Sequence, residues 1–108
     1  MGVQITEPVV RVVAAIDDSD TDAFVEAFTD DGPVDDWGRV LRGSDGVRGW
    51  AESDAIGAGA RMTVVAAATE QNTTHLRFDW RSRVFNGESE AYVIVVDGKI
   101  VSFRIPRA

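Results

Sequence analysis

The apolar positions of this chain change period once, near residue 60. Before that point they recur as on helices. Val9, Val12, Val13 and Ile16 fall on one face at i, i+3, i+4 and i+7, behind a start signal in Thr6, Glu7 and Pro8. "DDSD" breaks this helix, and Ser19 can cap a second one with Asp22 three residues on in a capping-box position. Phe24, Ala27 and Phe28 make the buried stripe of the second helix, and "DDGP" ends it. "PVDDWG" and "RVLRG" read as two short strands with a turn between. Ser44 caps a third helix containing Val47, Trp50 and Ala51, weakened by Gly46 and Gly49, and "AIGAGA" reads as a flexible connection.

After residue 60 the period becomes two. "RMTVVAAAT", "THLRFDWRSRVF", "SEAYVIVV" and "IVSFRI" are strand runs, separated by "EQN", "NGE" and "DGK". Asn86-Gly87 and Asp97-Gly98 are hairpin signals, because a tight type I′ turn needs positive φ at both central residues. Four antiparallel strands in a meander follow. The run Ala91 to Val96 is apolar on both faces, which predicts cover by the helices on one side and by a second subunit on the other. The sum is an α+β layout in which three N-terminal helices pack on the concave face of a curved antiparallel sheet.

Composition narrows the function classes. At 108 residues with 44% hydrophobic and 27% charged, residues 1–108 are expected to form a single domain with one core. No apolar run approaches membrane-spanning length, and "MGVQITEPVV" lacks the basic start and apolar core of a signal peptide. With no cysteine, disulfides and thiolate chemistry are excluded and a cytoplasmic location is the expectation. A lone histidine gives no metal-site spacing, so neither a metal nor a cofactor is expected.

The net charge of −7 is unevenly placed. Residues 1–60 carry thirteen acids against four arginines, and Asp17 to Asp36 hold nine acids and no base. Such a surface repels phosphate backbones, which argues against nucleic acid as a partner. Helix ends and first turns explain several of these acids, since the positive end of the macrodipole favours them there.

The segments "FVEAFTDDGPVDDWGRVLRGSDGVRGW" and "VDGKIVSFRI", with the order and length of the elements, resemble the SnoaL-like, polyketide-cyclase-like members of the nuclear-transport-factor-2-like superfamily. Ketosteroid isomerases and limonene epoxide hydrolases are relatives within it. The resemblance implies a cystatin-like cone whose open end holds a mostly apolar pocket, here small or open, and a homodimer through the outer sheet face. Against the isomerase pattern, "VDDWG" places Asp36 at the general-base position, Val12 where a helix-one tyrosine would stand, and Tyr92 near the second oxyanion donor. Against the epoxide-hydrolase pattern, "RFD" supplies Arg77 and Asp79, while "SFRIP" puts Phe103, Arg104 and Ile105 where Trp, Arg and Asp would be.

Each candidate has two readings. Asp36 is a base beside Trp37 in an apolar setting, or half of a solvated turn entry with Asp35; adjacent strand residues point to opposite faces, so one of the pair faces away. Arg77 and Asp79 share a face with His75, Arg81 and Arg83, opposite Leu76, Phe78 and Trp80. Either the charged set is a solvated ladder, or the strand is turned over and Arg77 and Asp79 line the cavity. Tyr92 is an oxygen donor to a ligand or part of a core hydrogen bond, and Trp37, Trp50, His75 and Phe103 are candidates for the pocket wall. Two functions stay open: cofactor-free acid/base chemistry (isomerisation, cyclisation or hydration) on a small, largely apolar molecule, or a non-catalytic ligand-binding or dimeric assembly domain.

Overall fold

A computed structural model describes residues 7–106 of the chain. Thr6 of the proposed helix start, and the first six residues of the segment weighed as a leader, lie outside the described residues. The element order is α1 Val9–Asp17, α2 Thr21–Glu26, β1 Pro33–Asp36, β2 Arg39–Arg42, α3 Gly43–Asp54, a short 3-10 helix Ile56–Ala58, then β3 Arg61–Glu70, β4 Thr73–Arg81, β5 Asn86–Val96 and β6 Lys99–Ile105. This is the α+β order read from the sequence.

The helical stripe of α1 is buried as its spacing requires, with Val9, Val12, Ala15 and Ile16 inward. The break after it is worked by different residues from those expected. Ser19 does not cap α2. It sits at φ 58°, and its N–H donates to the Ile16 carbonyl while that of Asp20 donates to the Ala15 carbonyl, closing α1 with a left-handed C-terminal motif. Asp20 is the cap of α2, accepting from the Ala23 N–H at 3.1 Å. Ser44 is likewise no cap, because α3 already starts at Gly43. Gly46 has a packing reason: a Cβ there would stand 2.8 Å from the Leu41 carbonyl carbon, so its absence lets α3 lie directly on β2. The expected flexible connection is ordered, with Ala60 N–H donating to the Ala55 carbonyl and Arg83 N–H to the Ala58 carbonyl.

The six strands form one sheet in the order β2-β1-β6-β5-β4-β3. The meander β3 to β6 is antiparallel throughout, and the short hairpin joins it by the parallel pairing of β1 with β6, a departure from an antiparallel sheet. Register irregularities at Val64/Ala66 and Ile94/Val95 bend the long strands around the helices. Asp97 and Gly98, at φ 53° and 78°, make the expected tight turn. Asn86-Gly87 does not. Arg81 pairs with Asn86 and Trp80 with Gly87, so both belong to β5 and the turn is the four residues before them. Ser82 holds that turn, its hydroxyl accepting from the Val84 and Phe85 N–H groups.

Burial on β4 decides the strand parity. Leu76, Phe78 and Trp80 are inside, and the charged set is outside. The hydrophobic effect assigns the faces as the plain reading had it: burying three large apolar side chains is favourable, and burying four polar ones without partners is costly. The core between sheet and helices is filled by these residues with Phe24, Trp50, Phe103, Ile16 and Val34.

Candidate functional site

Strand β1 is only four residues long, yet it fixes the key side chain. Val34 is completely buried, and two residues on Asp36 emerges on the same inward face. Asp35 therefore points away and accepts the Gly38 N–H at 2.9 Å, stabilising the turn Trp37-Gly38, whose φ values are 57° and 91°. The acid pair is thus divided between a turn and an interior.

Inside, Asp36 is held rather than loose. Trp50 Nε1–H donates to its Oδ2 at 3.0 Å, and Arg39 approaches the same oxygen at 3.7 Å. Arg39 also pairs with Asp54 at 2.7 Å, so one guanidinium links the strand carboxylate to the last residue of α3. Both acids keep some contact with solvent, their side chains being 24% and 29% exposed. Trp50 is anchored by rings on three sides, 5.8 Å from Phe24 and 6.2 Å from both Trp80 and Phe103.

Below this cluster is a hollow of about 180 Å³. Its floor exists because the inward residues of β5 shrink towards the open end, from Val93 and Ala91 to Ser89 and Gly87. Ser89 lies opposite Phe78 and Gly87 opposite Trp80, so the aromatic rings of β4 have no bulky neighbour across the strand. Ile105, paired with Asp36 on the parallel strand, closes one wall, and Trp50 with Asp54 closes the roof. Exposed Trp37, Val84 and Phe85 form the lip, carried by the β1–β2 and β4–β5 turns. All three tryptophans of the chain line this one space.

Of the residues singled out from sequence, Asp36, Trp37 and Trp50 are on the cavity. Phe103 does not line this hollow; it packs in the core behind Trp50. Arg77, Asp79, His75 and Tyr92 do not reach the cavity at all. They stand on the outer sheet face, because their inward neighbours Leu76, Phe78, Ala91 and Val93 occupy the core. There Arg77 pairs with Glu88 at 2.9 Å and Asp79 with Arg81 at 3.0 Å. His75 stacks on Tyr92 at 4.5 Å and shares a 2.7 Å hydrogen bond with Glu90, while Arg104 lies 5.5 Å over the Tyr92 ring. Each of the four thus has a partner within the chain.

Sequence reasoning missed Asp54, Trp80, Phe85 and Ile105. Asp54 did carry a signal: an acid as the last residue of a helix opposes the macrodipole, and α3 has no base in its last turn to offset it. Its partner Arg39 comes from another element. Among the described residues, no three His, Asp or Glu side chains come together as a metal site.

No protein-family model and no curated protein sequence matches the chain. Solved structures match it over nearly its whole length. A candidate polyketide cyclase from Sinorhizobium meliloti superposes with a TM-score of 0.83 at 21% identity, covering 94% of each chain. A hypothetical protein with a ketosteroid isomerase-like fold from Catenulispora acidiphila, in complex with trimethylamine, gives 0.82 at 17% identity over 97% of this chain and 88% of that one. SalBIII, an epoxide hydrolase/cyclase-like enzyme with a role in pyran ring formation in the polyether salinomycin, gives 0.81 at 19% identity over 91% and 85%. At these identities the likeness establishes the fold, which other matches carry under the names NTF2-like and cystatin fold. The fold implied by the sequence resemblance is therefore the one observed.

Proposed function

We propose that the chain is a SnoaL-like pocket protein that acts on a small, largely apolar molecule by cofactor-free acid/base chemistry at Asp36. The observation that carries this reading is a carboxylate fixed by an indole N–H and a guanidinium at the edge of an aromatic hollow. A placed carboxylate contributes about 10²–10⁴-fold to proton transfer when a carbon acid or hydroxyl is brought within hydrogen-bond reach. Enolisation, cyclisation and hydration all need such a base and a dry wall. The volume suits one ring, since an engineered apolar cavity of about 150 Å³ takes benzene, and the trimethylamine bound by the Catenulispora protein is a guest of that scale or smaller. Rates on small ketones and lactones for wild type and Asp36→Asn test it. A fall of about 10²-fold or more supports the reading, and equal rates remove it.

A second reading has its own observation. Only one of the four residues weighed for catalysis reaches the cavity, so no oxyanion donor of the isomerase kind faces Asp36 from Tyr92 or Val12. A pocket with a base and no such donor suits binding without turnover. Tight binding with no conversion of any ligand would favour it. Pairing of two chains through the outer face of β4 and β5 belongs to either reading and is tested by the mass of the protein in solution.

A further inference from the structure

The polar wall of the hollow is one-sided. Among the described residues its charged members are Asp36 and Asp54, joined by the hydroxyl-bearing Ser89, and its other walls are mostly rings. Carboxylates accept hydrogen bonds and do not donate them. Among the described residues Arg39 is the one base bound to this cluster, and it is shared between two carboxylates. Trp50 and Arg39 both address Oδ2 of Asp36, and Oδ1 makes no hydrogen bond among the described residues. Aromatic faces add to the same preference, because a ring quadrupole attracts a cation placed within about 6 Å of its centre. Trp37 and Phe85 are exposed rings at the lip of the space, and Trp80, Trp50 and Phe78 line it further in.

The surrounding field agrees in sign. Asp36 and Asp54 belong to the half of the chain that carries thirteen acids against four arginines. Anionic ligands are repelled on approach and cationic ones concentrated. A neutral apolar guest would use the rings and leave the carboxylates solvated. A cation uses both.

We propose that the ligand of this cavity carries a small organic cation, an alkylammonium group, on an apolar body. The proposal rests on the reading that the hollow is the ligand site, and names the chemistry it selects. The ammonium lies between Oδ1 of Asp36 and the rings of Trp80 and Trp37, with its apolar part over Phe78.

Choline and its neutral isostere, in which carbon replaces the quaternary nitrogen, separate charge from shape. Intrinsic fluorescence reads binding of either, since every tryptophan lines the cavity. Choline is expected to bind at least about tenfold more tightly than the isostere. Asp36→Asn should erase most of that preference, and Asp54→Asn should reduce it. Equal affinities in wild type, or a preference unchanged in Asp36→Asn, overturn the charge assignment while the pocket itself stands. No fluorescence response to either compound overturns the pocket reading as well. Thermal unfolding of each variant confirms that a lost preference is not lost folding.

Discussion

Replacing Trp50 by Phe probes the bond that fixes Asp36. The indole N–H donates to Asp36 Oδ2 at 3.0 Å from a ring that is 2% exposed. A hydrogen bond to a charged group contributes about 1.5–3 kcal/mol. Here Asp36 keeps 24% of its side-chain surface in solvent and shares the oxygen with Arg39. Both weaken the coupling, so about 1–1.5 kcal/mol is expected. The smaller ring also leaves a void between Phe24, Trp80 and Phe103, costing about 1–2 kcal/mol more. Trp50→Phe should therefore lose about 2–3.5 kcal/mol out of the roughly 5–15 kcal/mol usual for a domain. A double-mutant cycle with Asp36→Ala separates the two contributions, because the void is common to both arms. Urea unfolding followed by far-ultraviolet circular dichroism is the assay, since the substitution removes a fluorophore. Additivity within about 0.3 kcal/mol would refute the reasoning that Trp50 positions this carboxylate.

Other expectations follow from the same geometry. Arg77→Ala and Asp79→Asn should leave ligand affinity unchanged and shift stability by less than about 0.5 kcal/mol, as their ion pairs are on the solvated sheet face; a weakened ligand would mean that β4 is turned over. Asp20→Ala should cost about 1 kcal/mol through the lost α2 cap, whereas Ser19→Gly should stabilise by about 0.5–1 kcal/mol by relieving a positive φ. The reverse order in chemical denaturation would restore Ser19 as the cap. Gly46→Ala should cost about 1–3 kcal/mol by forcing α3 off β2, read as a lower melting temperature.

The fold was legible because each period was clean. The i, i+3, i+4, i+7 stripe of α1 and the alternation of β4 both state what must be buried, and burial followed them. Local turn chemistry was less reliable. Asn86-Gly87 has the right residues for a tight turn, but Ser82 offers its hydroxyl to two backbone N–H groups and moves the turn four residues back. Ser19 and Asp20 are both competent caps, and only the helix length of α1 chooses between them.

The site was half legible. Asp36 and Trp37 come from one short stretch whose inward face is set by Val34. Tyr92 and the Arg77/Asp79 pair enter through the resemblance, and the alternation of their strands alone leaves open which face is inward; burial puts them on the outer one. Ile105 and Asp54 could not be read locally, because they meet Asp36 through a parallel strand pairing and a bridging arginine, both long-range.

The claim underlying the account is that the tryptophan-lined hollow, with Asp36 at its edge, receives the ligand. Nuclear magnetic resonance of the side chains tests this directly during titration with choline or a small ketone. The account predicts that the indole N–H signals of Trp50 and Trp80 shift together, that Asp36→Asn reduces the shift produced by choline, and that His75 and Tyr92 stay still. Movement of His75 and Tyr92 with silent indoles would contradict it and place the binding surface on the outer face of the sheet.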